Sequence, residues 1–143
     1  MSKLTEEPRR IAALGDAVGG VGVVGVVGGV AAWLAVRAQL LGEKITVPDG
    51  ASRCSGRPVG GPITAYEEAA FIRKAALAAT GGRTYGQLDA GDPAAPMAKD
   101  AVLLRSSLFT SILAFGVAAA GVGVGAVLVV VGRALRATAA ALR

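Results

Sequence analysis

Histidine is absent from this chain of 143 residues, and cysteine occurs once, at Cys54. Without histidine there is no imidazole base, no nucleophile triad built on one, and no two-His-one-carboxylate iron site. Haem would have to take Met1, Met97, Cys54 or a tyrosine as its axial ligand. A lone cysteine allows no intrachain disulfide and leaves the redox compartment unreadable from thiol usage. Aromatic residues make up only 4% of the chain, so a water-soluble core would have few large side chains to pack. Acidic residues are missing from Arg133 to Arg143.

What is present is valine, alanine and glycine: 53% of the chain is apolar and 21 residues are glycine. A bilayer removes the need for large core side chains, because lipid takes the place of a core. The net charge of +5 raises the question of nucleic acid. The basic residues stand singly or in pairs at the edges of apolar runs, however, which suits membrane anchoring better.

Ala17 to Val36 is a run of 20 residues without a charge, and Ser106 to Gly132 one of 27. About 20 residues at 1.5 Å each cross the roughly 30 Å of a hydrocarbon core. Seven glycines between Gly15 and Gly29 would weaken a helix in water by about 1 kcal/mol each. In lipid an unpaired backbone group costs more than that, so an apolar run is driven into helix regardless. A cleavable signal is the competing reading of the first run. Its apolar core is too long for one, and Arg37 stands where the cleavage site would be read. Trp33 and Arg37 fit an interfacial anchor at the end of the first span; Arg105, Arg133 and Arg136 do the same around the second.

Two spans put both termini on one side of the membrane. Lys3, Arg9, Arg10, Arg133, Arg136 and Arg143 lie on the terminal side, against Arg37, Lys44, Arg53, Lys99 and Arg105 on the loop side. The balance of six to five, with an acid-free basic tail drawn to anionic lipid, predicts cytoplasmic termini. The expected organisation is a cytoplasmic segment 1–16, a first span 17–38, an extracytoplasmic loop 39–105, a second span 106–132 and a basic cytoplasmic tail 133–143. This is an all-α membrane protein, a two-helix transmembrane hairpin whose loop carries one amphipathic helix.

Within the loop, Pro48, Asp49-Gly50, Pro58 and Gly60-Gly61 predict successive turns, with a short extended piece at Ile45–Val47. Thr64 and Glu67 have capping-box spacing and Gly81-Gly82 marks a stop, predicting a helix over 65–80. Glu67 and Glu68 then fall in its first turn, where they suit the macrodipole. Tyr66, Ala69, Ala70, Phe71, Ile72 and Leu77 form its apolar side. Asp89 to Pro96 reads as a turn leading into a helix that begins ahead of the second span. The loop acids Glu43, Asp49, Glu67, Glu68, Asp89, Asp92 and Asp100 match no calcium loop and read as solvated surface.

Three pairs of glycines have the spacing that lets two membrane helices approach closely: Gly15 and Gly19, Gly25 and Gly29, Gly121 and Gly125. In the second span Ala114, Ala118, Gly121, Gly125 and Gly132 lie near one stripe. These residues point to packing of the spans on each other or on another membrane protein. A glycine-rich composition also generates such pairs by chance. No Asp, Glu, Lys, Arg or His interrupts either run, which speaks against an ion path or proton relay. Ser106, Ser107, Thr110 and Ser111 are expected near the interface or bonded back to helix carbonyls. The glycines around Gly19–Val23 lack the lysine and preceding strand of a phosphate loop.

The segments Ile45-Thr46-Val47-Pro48-Asp49, Gly60 to Tyr66, Thr80 to Tyr85 with Leu88-Asp89, Leu104 to Ser111 and Ala114 to Ala118 resemble a family of small two-span membrane proteins of high-GC actinobacteria. The resemblance runs from about Ile45 to Gly132. Members often carry the name aromatic ring-opening dioxygenase, which this chain contradicts because it has no histidine to hold iron. The resemblance implies the two-span topology and the bacterial plasma membrane, and it supplies no catalytic residue. The expectation is a non-catalytic protein without cofactor, metal or small-molecule substrate. Its partners would be the lipid bilayer and either other membrane subunits or a second copy. A membrane-permeabilising, holin-like protein is the alternative; nucleic acid is not expected.

Overall fold

The computed structural model describes residues 2–51 and 53–142, with the side chains of residues 2–5 outside that description. Met1, and the Lys3 and Arg143 side chains counted towards the orientation, therefore lie outside the described residues. Among the described residues the chain is all-helical, without strands, and two of its helices are long and apolar enough to cross a membrane. Helix α1 runs Ser2–Gly42, α2 Pro62–Ala79 and α3 Ala95–Ala141, with a short 3-10 turn at Tyr85–Gln87. The 41 residues of α1 and 47 of α3 exceed the ~20 a bilayer needs. Residues 2–16 and 133–141 are thus helical continuations of the two uncharged runs.

The chain divides into two units. The first, Met1–Trp33 with Gly116–Arg143, is a pair of helical segments with small residues turned inward and valine outward. Val24 is 72% and Val117 74% exposed, whereas the core helix of a water-soluble protein would bury such side chains.

The second unit, Leu34–Phe115, is the polar body. Lys44, with φ 53°, turns the chain out of α1. Ile45–Val47 then pairs with Arg57–Val59: Val47 N–H donates to Arg57 O at 2.9 Å and Val59 N–H to Ile45 O at 2.8 Å. Val47, Val59 and Cys54 are buried, as are Ala65 and Ala69 of α2. The cysteine is free.

Helix α2 begins three residues before its expected start. Gly61 is the N-cap, extended at φ −163° and ψ 171°, and Pro62 occupies the first turn, where its fixed φ and missing N–H cost nothing. Thr64 is consequently not the cap but the third helical residue. Its hydroxyl oxygen accepts from Gly60 N–H at 3.1 Å and Gly61 N–H at 3.2 Å, a side chain reaching back to the cap as in the second half of a capping box. Glu67 and Glu68 move out of the first turn, so the macrodipole does not explain them. Both are buried, contrary to the reading as solvated surface. Tyr66 and Ala70, expected on the apolar side, are exposed.

The helix ends as the double glycine requires. Gly81 and Gly82 have φ of 65° and 87°, and Gly82 N–H donates to Leu77 O at 2.7 Å, the long bond of a Schellman end. Asp92 then starts α3: its Oδ1 accepts from Ala94 N–H at 2.9 Å, and its Oδ2 pairs with Arg83 at 2.8 Å.

Candidate functional site

The feature most developed beyond ordinary packing lies in the first unit, where α1 and α3 run antiparallel with backbone against backbone. A β-carbon built on Gly15 would stand 2.8 Å from Gly132 O, one on Gly22 2.6 Å from Gly125 O, and one on Gly29 2.6 Å from Ala118 O. The contacts recur every seven residues along both helices, with Pro8 and Ala139 buried one further heptad along on α1 and α3. A period of seven keeps a seam in register between helices coiled in the left-handed sense. Here the seam positions hold glycine and alanine instead of leucine, so close backbone approach takes the place of side-chain interdigitation.

The sequence-predicted pairs divide on this seam. Gly15, Gly29 and Gly125 are its tight members. Their partners Gly19 and Gly121 are looser, with nearest atoms 3.9 Å and 3.7 Å from an added β-carbon, and Gly25 is intermediate at 3.2 Å. A spacing of four thus gives way to one of seven. Gly22, with three atoms within 3.0 Å of an added β-carbon, belongs to none of the pairs, yet the repeat Gly15, Gly22, Gly29 was its available signal. Ala118 is buried on the seam, while Ala114 is half-buried and belongs to the other unit. Gly20, Gly28, Gly116 and Gly123 meet nothing and lie on the outward faces.

The anchor residues have partners of their own. Arg136 pairs with Asp16 at 3.0 Å, an acid at the very edge of the uncharged run. Arg37 Nη1 donates to Gly60 O at 2.9 Å, closing the turn ahead of α2. Arg105 lies 5.8 Å from the centre of the Phe109 ring, which meets Tyr66 edge-on at 6.4 Å. Arg133 is exposed and Trp33 half-buried. Thr110 and Ser111 donate to Ser106 O and Ser107 O at 2.9 Å and 3.2 Å, the back-bonding expected of hydroxyls in an apolar helix.

Chemically, the seam can hold two helices together but offers no reacting group. Among the described residues no group of three or more His, Cys, Asp or Glu is placed to hold a metal. Burial raises the Glu68 carboxyl above its ordinary value, and its Oε2 has no hydrogen-bond partner. Asp92 is held below its ordinary value, first by the Ala94 N–H, with burial opposing that and the hydrogen bond and charge of Arg83 adding to it. No family model, curated protein or solved structure matches the chain.

Proposed function

We propose that this chain is a non-catalytic integral membrane protein: a two-span hairpin in a bacterial plasma membrane, termini cytoplasmic and the Leu34–Phe115 body outside. Its role is that of an accessory or structural subunit of a larger membrane complex, or of a homo-oligomer. The observation that carries this reading is the seam Gly15–Gly132, Gly22–Gly125, Gly29–Ala118. In lipid no hydrophobic force drives helix onto helix, so association depends on close packing and the weak Cα–H···O contacts it allows. A pair locked in this way presents apolar outward faces to lipid or to neighbouring spans. Because the tight glycines are occupied within the chain, contact with another subunit falls to those outward faces. The resemblance to the two-span actinobacterial family agrees with the topology and adds no activity.

A permeabilising role is the competing reading. The outward residues Val24, Val27, Val117 and Val124 give it no polar face to line a pore, and dye release from liposomes separates the two.

The experiment has two parts. In a Cys54→Ala chain, single cysteines at Thr138 and at the exposed Gly91 report the sides of the membrane; Cys54 itself is too buried to serve. Labelling of Gly91→Cys and not Thr138→Cys from outside intact cells is expected, and the reverse inverts the orientation. Mild detergent extraction should then recover the chain at fixed stoichiometry with other membrane proteins or with itself. A monodisperse monomer without companions would overturn the subunit role.

A further inference from the structure

We propose that the Leu34–Phe115 body holds a phosphate group, borne by a lipid headgroup or free, in the pocket lined by Arg73, Arg83 and Arg105. The pocket lies among α2, the turn at Arg83–Tyr85 and the first turns of α3, with Ala98, Ala101 and Val102 as its apolar wall. Its volume is about 50 Å³. One water needs roughly 10–15 Å³ of such space, so the pocket takes a group of a few heavy atoms, the size of a single oxyanion.

Its charged lining is of one sign. Arginines from three separate stretches of chain line it, and among the described residues no carboxylate does. Asp92 neutralises part of one of them, through the 2.8 Å contact to Arg83 Nη2. Arg83 Nε donates to Thr80 O. Among the described residues Arg105 has no ion pair; its guanidinium rests on Phe109, and its Nε–H is buried without an acceptor. A buried donor left unpaired costs free energy, more so on a charged group. A bound anion would supply that acceptor and relieve the mutual repulsion of the three cations.

The geometry favours phosphate over carboxylate. Guanidinium forks bind both, but arginines drawn from three separate stretches of chain suit an anion whose oxygens point in several directions. Arg105 immediately precedes the uncharged run from Ser106. If that run is a span, as proposed above, headgroup phosphates lie within reach. Only the source of the phosphate rests on that reading; the pocket does not.

The test uses the full chain with two probes. Inorganic phosphate is titrated calorimetrically into the protein in a neutral detergent at fixed ionic strength. In parallel, the protein is reconstituted in nanodiscs of phosphatidylcholine with one-tenth phosphatidylglycerol, and the lipid it retains on re-extraction is counted by mass spectrometry. Saturable binding of inorganic phosphate alone assigns the site to free phosphate. Retention of phosphatidylglycerol alone assigns it to a headgroup, and both together assign it to the phosphate group as such. Arg105→Gln should weaken whichever binding is seen by tenfold or more, Arg105→Lys by less, and Lys99→Gln, an exposed charge outside the pocket, by less than twofold. Arg73→Gln, at an exposed position, repeats the test without risk to folding. No saturable binding to either probe, or equal losses in Arg105→Gln, Arg73→Gln and Lys99→Gln, would overturn the proposal. Membrane insertion is followed separately by flotation, so failure of the two-span reading shows itself independently.

Discussion

Gly22 and Gly125 are each the other's limit: a β-carbon on either would lie 2.6 Å from the carbonyl oxygen of its partner. Backbone meets backbone there, and no flexible side chain stands ready to yield. Gly22→Ala or Gly125→Ala should therefore push α1 and α3 apart at a cost of roughly 1–3 kcal/mol, the usual range for overpacking. Gly20→Ala, Gly28→Ala and Gly123→Ala, with open space around them, should cost nothing. Reversible unfolding in mixed micelles measures the difference; equal effects in both sets would show that the seam does not hold the pair.

The same seam shows what the sequence made legible. Two uncharged runs of sufficient length pointed to two long helices, and small-residue spacing pointed to the elements that touch. Gly15 and Gly19, or Gly121 and Gly125, match a four-residue motif by eye, which leaves the longer repeat unseen. The seven-residue repeat emerges only when both helices are read against each other. Gly121→Ala and Gly125→Ala discriminate the two periods directly, since the first meets ordinary contacts at 3.7 Å and the second a clash. The burial of Glu67 and Glu68 was not legible, because it depends on what the fold lays over that side of α2, which spacing along one helix does not reveal. The arginine pocket was hidden for another reason. Arg73, Arg83 and Arg105 are scattered in sequence and brought together only by the packing of α2 on α3.

Thr64 offers a test of the corrected cap. Its hydroxyl oxygen accepts from the Gly60 and Gly61 amides, so Thr64→Ala should cost about 1 kcal/mol and speed amide exchange at those two residues about fivefold. Thr64→Ser should retain the protection. Glu67→Ala should leave exchange of the Thr64 amide unchanged; faster exchange there would restore Thr64 to the cap position with Glu67 as its reciprocal partner.

Asp16 and Arg136 join α1 to α3 at 3.0 Å, yet their side chains are 59% and 65% exposed. Solvent screening limits such a pair to ~1 kcal/mol or less. A double-mutant cycle with Asp16→Asn and Arg136→Gln should give a coupling below that value, falling further as salt is raised. A salt-independent coupling of several kcal/mol would mean that the pair is sealed from water in the assembled protein.

Glu68 and Asp92 should impose opposite pH dependences on the Leu34–Phe115 body. Burial raises the Glu68 carboxyl above its ordinary 4.5, so the folded state binds this proton more tightly than the unfolded state does. Its contribution is fully present below about 4.5 and is lost as pH rises through the raised value. At neutral pH the folded chain carries a buried, unpartnered Oε2. Glu68→Gln should thus stabilise the body at pH 7, because the neutral amide carries no charge to desolvate, and the advantage should shrink towards zero below pH 4.5. Asp92 runs the other way. The Ala94 amide and Arg83 hold its carboxyl below its ordinary 3.8, so its contribution is present above that value and lost as pH falls through the depressed one. Asp92→Asn should accordingly destabilise at pH 7 and converge on the parent chain in acid. Denaturation midpoints from pH 3 to 8 for the parent and both variants provide the measurement. A Glu68→Gln advantage that stays constant across that range would show that Glu68 does not titrate with folding, and that its burial acts through packing alone.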